Sequence, residues 1–369
     1  MPQSVASYGC RLDDPPPMTD PDRPTPDAPS PQVLPPETVP EAAGPPKGSA
    51  LVPPTDGSPA ALAALAAAID FANEALAPAT LRAYRADWRH FLSWCREAGW
   101  SALPAAPETV AAYLASMAVS HTSSALVRRL AALSRAHRLA GQDWPRAHPA
   151  ICNTLRGIQR KYGKPQRQAA ALATEELIRL IETCDATQVG RRDRALLLTG
   201  YAGALRRSEL VAVQREHITF TTDGLRLLIP RAKGDPTGKG ASIGIPRGNR
   251  ADTCPVRALE VWLEVSACRY GPVFRGIDRR GVIASSALHP DAVRHILAKR
   301  ASIAGLKMPS GERLSPHGLR AGFITQAYIN GARDEQIMDH TRQKDLRTMR
   351  GYVRRAKLVT DSPARLLGL

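Results

Sequence analysis

Half of the 32 prolines of this 369-residue chain lie in its first 58 residues. Aspartate, serine and threonine stand between them, and clusters of aromatic or β-branched residues are almost absent. A segment of this composition cannot bury enough apolar surface to offset the entropy that it loses on ordering. We therefore expect a disordered tail at residues 1–58, with Met18 as an alternative start of translation, and a fold built from the remaining residues.

The chain carries a formal charge of +16, and its charge is unevenly divided. Residues 1–58 hold 3 basic and 8 acidic residues, which leaves a net charge of +21 for residues 59–369. A surplus of this size suits a polyanionic partner, with nucleic acid first and an acidic membrane surface second. From composition alone, a soluble protein that is basic without such a partner is an equal alternative.

Cysteine and histidine patterns give no support for a metal site. The six cysteines include no CxxC pair, and the nine histidines include no HExxH, so we expect reduced thiols, a cytoplasmic location and no metal. No secretion signal is visible, and the longest apolar run, residues 60–69, is rich in alanine and ends at Asp70. We expect neither secretion nor a membrane span.

Residues 59–163 are predicted to form an all-helical domain. Between Thr80 and Trp94, apolar residues recur at helical spacing, whereas Arg82, Arg85 and Arg89 share another face. This second face is either a DNA contact or a solvated charged surface. Residues 156–167 resemble a basic linker that could follow a phosphate backbone. Further candidate DNA contacts are Arg128, Arg129, Arg156, Arg160 and Lys161.

Residues 164–369 combine helical and strand patterns. Three short apolar runs predict strands at 218–220, 225–230 and 243–246, with an Asp223-Gly224 turn between the first two. The predicted helices are 191–204, 255–267, 291–303, 317–329, 334–340 and 346–357. The pattern predicts a mixed α+β domain with a small antiparallel sheet.

Four short motifs occur in this second region. They are Gly203-Ala-Leu-Arg-Arg-Ser-Glu-Leu-Val, Arg231-Ala-Lys-Gly-Asp-Pro-Thr-Gly-Lys-Gly, His317-Gly-Leu-Arg and Met349-Arg-Gly-Tyr-Val-Arg. In order and spacing they resemble the motifs of the tyrosine recombinase, or phage integrase, family of site-specific DNA recombinases. The helical region resembles the SAM-like core-binding domain of that family, so that the resemblance covers about four-fifths of the chain.

The resemblance implies a DNA strand breaking and rejoining enzyme that needs no cofactor. The implied catalytic residues are Arg206, Lys233, His317, Arg320 and Tyr352, with Glu209 as the acidic residue that orients them. From the residues alone, an ordinary acid at the start of a helix is a nearly equal alternative for Glu209. It also implies a clamp of two domains around double-stranded DNA, a homotetramer on two DNA sites and a C-terminal tail, residues 358–369, that docks on a neighbouring subunit.

Elementary chemistry supports these roles. Without a metal, cleavage of a phosphodiester needs cations at the non-bridging oxygens, and the forked guanidinium groups of Arg206 and Arg320 suit them. His317 and Arg320 are three residues apart and share a helix face, where the imidazole can act as a general base or a donor. Tyr352 would store the bond energy as a phosphotyrosine ester.

Lys239 and Tyr328 are weaker alternatives to the lysine and the tyrosine of the motifs. Lys233 is the candidate general acid for the departing 5′ oxygen, and Lys239, which lies among glycines, is its rival. Tyr328 lies on an amphipathic pattern and is predicted to belong to the core.

One position departs from the family. The family usually has Gly-His where this chain has Arg342-Gln343, so that Gln343 occupies the place of a catalytic histidine. The amide can donate a hydrogen bond but carries no charge and no labile proton. His340 is the nearby alternative. A member of the family with weakened catalysis and a type IB topoisomerase are the alternative functions, and the target site and the outcome of recombination do not follow from the sequence.

Overall fold

In this computed structural model the chain divides into two compact units between residues 165 and 166. The structure describes residues 58–144, 147–164, 168–230, 238–356 and 362–367. The predicted tail, apart from Ser58, and the end of the predicted helix at Lys357 lie outside the described residues. None of the helices within these ranges is long and apolar enough to cross a membrane.

The first unit is helical, as predicted. Of the five helices in its described residues, four begin with proline in the first turn, where the missing amide proton costs nothing. Its core is formed by apolar side chains from α2 to α5, among them Phe91, Tyr113, Leu126 and Leu133. The helices are α1 (Pro59–Glu74), α2 (Pro78–Ala98), α3 (Pro107–Ser116), α4 (Ser123–Leu139) and α5 (Pro149–Tyr162).

The second unit is a mixed α+β domain, which confirms the predicted class. Its helices are α6 (Thr174–Glu182), α7 (Gln188–Ala202), α8 (Arg207–Val211), α9 (Pro255–Val265), α10 (Pro290–Ile303), α11 (His317–Ile329), α12 (Asp334–Thr341) and α13 (Leu346–Ala356). Its strands are β1 (Gln168–Ala169), β2 (Ile218–Phe220), β3 (Gly224–Ile229), β4 (Ala241–Pro246), β5 (Arg275–Ile277), β6 (Ile283–Ala287) and β7 (Glu312–Arg313). Short 3₁₀ helices follow α8 and α13, at Arg215–His217 and Pro363–Leu367.

The strands form three small sheets. Strands β2, β3 and β4 are antiparallel and hydrogen-bonded in chain order, with the predicted hairpin between β2 and β3. Leu225, Leu227 and Ile229 alternate towards the core, as expected for a sheet with one buried face. Strands β5 and β6 form a separate hairpin, and β1 pairs in parallel with β7.

Helix α11 is held unusually close to the chain that precedes α6. A Cβ atom added to Gly318 would lie 2.4 Å from the carbonyl oxygen of Ala170, and one added to Gly322 would lie 1.9 Å from that of Leu172. The Leu172 amide donates to the Gly318 carbonyl at 3.1 Å. Both glycines are therefore required by the close approach of the two backbones. On its other side, α11 packs against α12 and α13 through Ile324, Ile337, Met349 and Val353.

Candidate active site

Three segments of the second unit bring the predicted catalytic side chains together. The turn before α8 carries Arg206, the first turn of α11 carries His317 and Arg320, and α13 carries Tyr352. Lys233 lies outside the described residues, and its rival Lys239 is exposed just before β4.

His317 and Tyr352 meet although 35 residues separate them. The Nε2 atom of His317 lies 2.6 Å from the hydroxyl oxygen of Tyr352. The two rings are tilted by 51°, with their centres 5.8 Å apart. This distance is within the range over which an imidazole can take a proton from a phenol.

Arg320 is buried beneath the site, with only 1% of its surface exposed. Its Nη1 atom donates to the Ala204 carbonyl at 2.7 Å, and its Nη2 atom donates to the Thr341 carbonyl and to Gln343 Oε1, the latter at 3.1 Å. Ala204 presents that carbonyl from a turn with φ of 45°. Arg320 therefore ties α11 to the turn before α8 and to the end of α12.

Glu209 joins the first arginine to the fold. Its Oε1 atom accepts from Arg206 Nη1 at 2.6 Å, and its Oε2 atom accepts from the Arg206 backbone amide at 3.0 Å. The carboxylate side chain is 3% exposed, whereas the Arg206 side chain is 23% exposed. Glu209 thus fixes Arg206 while leaving part of its side chain accessible.

An additional guanidinium, from Arg342, contacts the same carboxylate. Arg342 Nη2 donates to Glu209 Oε2 at 2.9 Å, and Nη1 donates to the His340 carbonyl at 3.0 Å. The sequence had marked Arg342 only as a departure from the family. An added positive charge within a catalytic motif is the signal that could have identified it.

These contacts shift the pKa values of the buried groups. Burial raises the pKa of Glu209, but the Arg206 amide and the charges of Arg342 and Arg206 outweigh burial and lower it. Burial, and then the charges of Arg206 and Arg342, lower the pKa of Arg320 to about 10. The pKa of Arg342 is lowered by burial, which Glu209 partly offsets. At neutral pH this cluster therefore holds one carboxylate and a surplus of positive charge.

Gln343 faces Arg320 with its oxygen. Guanidinium groups only donate, so the atom of the amide that meets Arg320 Nη2 must be Oε1. The amide nitrogen is then the end turned away from Arg320. This orientation leaves Gln343 a donor in the place where the family has a histidine.

His340 and Tyr328, the alternatives to Gln343 and Tyr352, both contact other residues within the second unit. His340 stacks on Phe323 with ring centres 4.7 Å apart, and its Nε2 atom bonds to the Ala202 carbonyl at 2.8 Å. Burial lowers its pKa, which the Ala202 bond partly offsets. Tyr328 packs against the cluster around Ile324 and Met349, in agreement with its predicted place in the core.

The candidate DNA contacts of the first unit differ in burial, and all but one of them are exposed. Arg82, Arg85 and Arg89 are exposed along α2, and Arg156, Arg160 and Lys161 are exposed on α5. Arg128 is exposed, although its guanidinium forms a bidentate pair with the buried Asp87 at 2.9 and 3.0 Å.

The prediction that Arg129 contacts DNA was wrong. Arg129 is 7% exposed and donates to the Tyr113 hydroxyl at 2.6 Å. It lies on the stripe of α4 that includes Leu126, Leu130 and Leu133, so helical geometry points it into the core. Its guanidinium contacts Tyr113 and, at 3.2 Å, His121 within the unit.

Comparisons with known proteins identify the family to which this chain is similar. Residues 170–358 match the phage integrase family. An integrase/recombinase XerD homologue of Selenomonas ruminantium is 35% identical over 288 residues, which cover 77% of this chain and 83% of that protein. Tyrosine recombinase XerC of Pseudomonas putida (strain W619) is 26% identical over 285 residues, which cover 74% and 84%.

Solved structures give more distant matches. A crystal structure of a lambda integrase dimer bound to a COC′ core site matches with a TM-score of 0.49 and 17% identity, covering 73% of this chain and 87% of that chain. The XerH site-specific recombinase in its post-cleavage complex with difH matches with a TM-score of 0.48 and 19% identity, covering 69% and 71%.

Proposed function

This chain belongs to the phage integrase family, and we propose that it is a site-specific recombinase that breaks and rejoins DNA strands through a 3′-phosphotyrosine bond to Tyr352. The observation that carries the proposal is the 2.6 Å contact between the Tyr352 hydroxyl and His317 Nε2, in the same unit as the arginine cluster. A nucleophile within reach of a base, beside preorganised cations, is the arrangement that this reaction requires.

In the cleavage step, the Tyr352 oxygen attacks phosphorus while its proton passes to His317 Nε2. The new bond between phosphorus and the tyrosine oxygen forms as the bond to the 5′ oxygen breaks, and the 5′ oxygen takes a proton from Lys233. Religation reverses these transfers, and so the phosphotyrosine ester conserves the bond energy without a nucleotide cofactor.

The arginine cluster would stabilise the charge that develops on the non-bridging oxygens. Arg206 is the accessible member and would bind phosphate directly. Arg320 lies beneath it, so in this structure its donors serve the backbone and Gln343, and its charge acts from below. Gln343 would donate from its amide nitrogen to a phosphate oxygen.

The first unit would bind the DNA backbone through its exposed arginines. Arg82, Arg85 and Arg89 recur along one face of α2, and Arg156 and Arg160 are one turn apart on α5. Such contacts bind phosphates irrespective of base sequence. Arg128 adds a weaker contact because Asp87 already holds its guanidinium.

Oligomerisation follows from the number of strands. Exchange between two duplexes requires four strand cuts, and each chain offers one nucleophile at Tyr352, so we propose a homotetramer on two DNA sites. We also propose that the protein acts in the cytoplasm, because a recombinase must reach the DNA that it cuts.

The test is the formation of a covalent adduct. The Tyr352→Phe protein, which lacks only the hydroxyl, would first be used to select binding sites from a random duplex pool. The wild-type protein should then form a denaturant-resistant adduct on the selected duplex, nicked at successive positions. Tyr352→Phe should bind equally and form none, whereas Tyr270→Phe, at a tyrosine that is 81% exposed, should match the wild type. An adduct with Tyr352→Phe would assign the nucleophile elsewhere.

A further inference from the structure

Arg342 occupies a backbone position that side chains rarely adopt. It ends α12 with φ of 56° and ψ of 38°, in the left-handed region. Glycine is favoured in this conformation because it has no Cβ atom, and the family usually has glycine here. The chain therefore accepts backbone strain in order to place a long cationic side chain at this point.

The side chain is used within the active site. It is 8% exposed, and its Nη2 atom shares Glu209 Oε2 with the backbone amide of Arg206. The other oxygen of the same carboxylate holds Arg206 Nη1. Arg342 and Arg206 are thus connected through one buried carboxylate.

The charges in this cluster do not balance. Arg206, Arg320 and Arg342 contribute three positive charges, and Glu209 contributes one negative charge. Burial and the two neighbouring arginines depress the pKa of Arg320, as expected for like charges at close range. An anionic phosphodiester would relieve this repulsion, so the surplus favours binding of the reacting group.

We propose, on the basis of the function proposed above, that Arg342 is a positioning residue that holds Glu209 against Arg206 and supplies the positive charge that Gln343 lacks. With glycine at this position, Glu209 would bind Arg206 alone and neutralise more of its charge. With Arg342 present, the carboxylate is shared between two guanidinium groups, so that more of the positive charge of Arg206 remains to attract the phosphate. Arg342 and Gln343 then act together as a replacement for glycine and histidine.

Two properties separate this role from a merely structural one. Arg342→Gly removes the guanidinium and at the same time relieves the strain of the left-handed backbone. These two changes act in opposite directions on the free energy of unfolding, so cleavage should slow while the melting temperature changes little. Its effect should also depend on position 343, because a histidine there would restore the missing charge.

The experiment measures single-turnover adduct formation on the selected nicked duplex, with DNA binding measured separately. We expect Arg342→Gly to cleave about tenfold more slowly or worse, the loss expected for one charge-assisted interaction, with DNA affinity little changed. In the Gln343→His background the same substitution should cost about threefold or less. Guanidinium ion at millimolar concentration should partly restore Arg342→Gly, and ammonium ion at equal ionic strength should not.

Arg250→Gly is the matched control, because Arg250 pairs with Asp252 at an exposed site outside the cluster. Should Arg342→Gly fail to fold, Arg342→Lys replaces it in the same comparison; it keeps the charge but cannot bridge Glu209 and the His340 carbonyl, and it should lose at least threefold. Wild-type cleavage with no loss in the folded Arg342 variants, or an equal loss in both backgrounds, would overturn the assignment. Absence of a wild-type adduct would instead refute the proposed function.

Discussion

The Tyr352 hydroxyl oxygen lies 2.6 Å from His317 Nε2, so that the proposed nucleophile and its proposed base are in hydrogen-bond contact. The two residues belong to helices that pack on each other through Ile324, Met349 and Val353. The contact therefore depends on how α11 and α13 pack in the second unit.

If His317 takes the proton from Tyr352, both His317→Ala and His317→Gln should slow adduct formation by about 10²-fold or more. Glutamine retains a hydrogen-bond donor but is not a base, so its comparison with alanine separates the two roles. Single-turnover rates at saturating protein measure the effect. A near-normal rate for His317→Gln would show that the residue acts only as a donor.

Removal of Arg206 and removal of Arg320 should both slow cleavage but should differ in their effect on the melting temperature. Arg206→Ala should slow cleavage by at least about 10²-fold and leave the melting temperature nearly unchanged, because the side chain is partly exposed and Glu209 keeps Arg342 as a partner. Arg320→Ala should lower the melting temperature as well, since it leaves the buried carbonyls of Ala204 and Thr341 without their donor. Equal thermal effects would contradict the placement of Arg320 beneath the site. Calorimetry and adduct formation on the same samples provide both readouts.

Lys233 can be tested through the leaving group. If its ammonium protonates the departing 5′ oxygen, Lys233→Ala should cleave an ordinary duplex at least about 10²-fold more slowly. A duplex with sulfur in place of that bridging oxygen should be cleaved by Lys233→Ala and wild type at similar rates, because a thiolate leaves without a proton. Lys239→Ala is the control and should be slowed much less on the ordinary duplex. The reverse order would make Lys239 the acid.

Gln343 should limit the rate of the chemical step. Gln343→His should accelerate single-turnover cleavage by about tenfold or more, because a charged imidazole makes a stronger hydrogen bond to phosphate than an amide. Gln343→Ala should be slower than both, since it also removes the oxygen that accepts from Arg320. Equal rates for the three proteins, at equal occupancy of DNA, would remove position 343 from the phosphate site.

The first unit should lose stability in mild acid because of His137. The Ala105 amide donates to its Nε2 atom at 3.0 Å, so Nδ1 must carry the single proton, which it donates to the Leu133 carbonyl at 2.9 Å. Burial lowers the pKa of His137 below 6.5, and the Leu133 bond offsets this only in part. A depressed folded-state pKa gives stability that is present above pH 6.5 and is lost as the pH falls through the folded value.

Thermal unfolding followed by tryptophan fluorescence can measure this effect, because four of the five tryptophans lie in the first unit. The melting temperature should fall as the pH is lowered below 6.5. His137→Gln should melt lower at pH 7 and show a weaker dependence on pH. Parallel curves for the two proteins would show that His137 does not titrate on unfolding in this range.

Elements with a strong local pattern could be predicted closely from the sequence. Strand Ile218–Phe220 and helix His317–Ile329 have the predicted bounds, because alternation and helical periodicity act within each segment. Helix α6 and the β5–β6 hairpin were not predicted. Their segments are short, and β6 consists largely of alanine and serine, so packing against the rest of the unit decides their structure.

In the site as well, short motifs predict single residues, whereas contacts between residues far apart in the chain depend on tertiary packing. Family motifs identified His317 and Tyr352 one by one, but their contact depends on the packing of α11 against α13. The burial of Arg129 was readable from its place on the apolar stripe of α4, and its charge led to the wrong assignment. The bond between Arg342 and Glu209 joins residues 133 positions apart, which no local pattern encodes.

The two glycines of α11 set the depth at which this helix, with the proposed catalytic residues His317 and Arg320, sits in the second unit. With a Cβ atom only 1.9 Å from the Leu172 carbonyl oxygen, even alanine at position 322 would force the helix outwards, and His317 and Arg320 would move with it. Displacement of a catalytic group by about 1 Å can reduce a rate by about 10²-fold. Mutations at these glycines, although neither contributes a side chain to the reaction, would therefore uncouple DNA binding from cutting and yield a protein that occupies its site without exchanging strands.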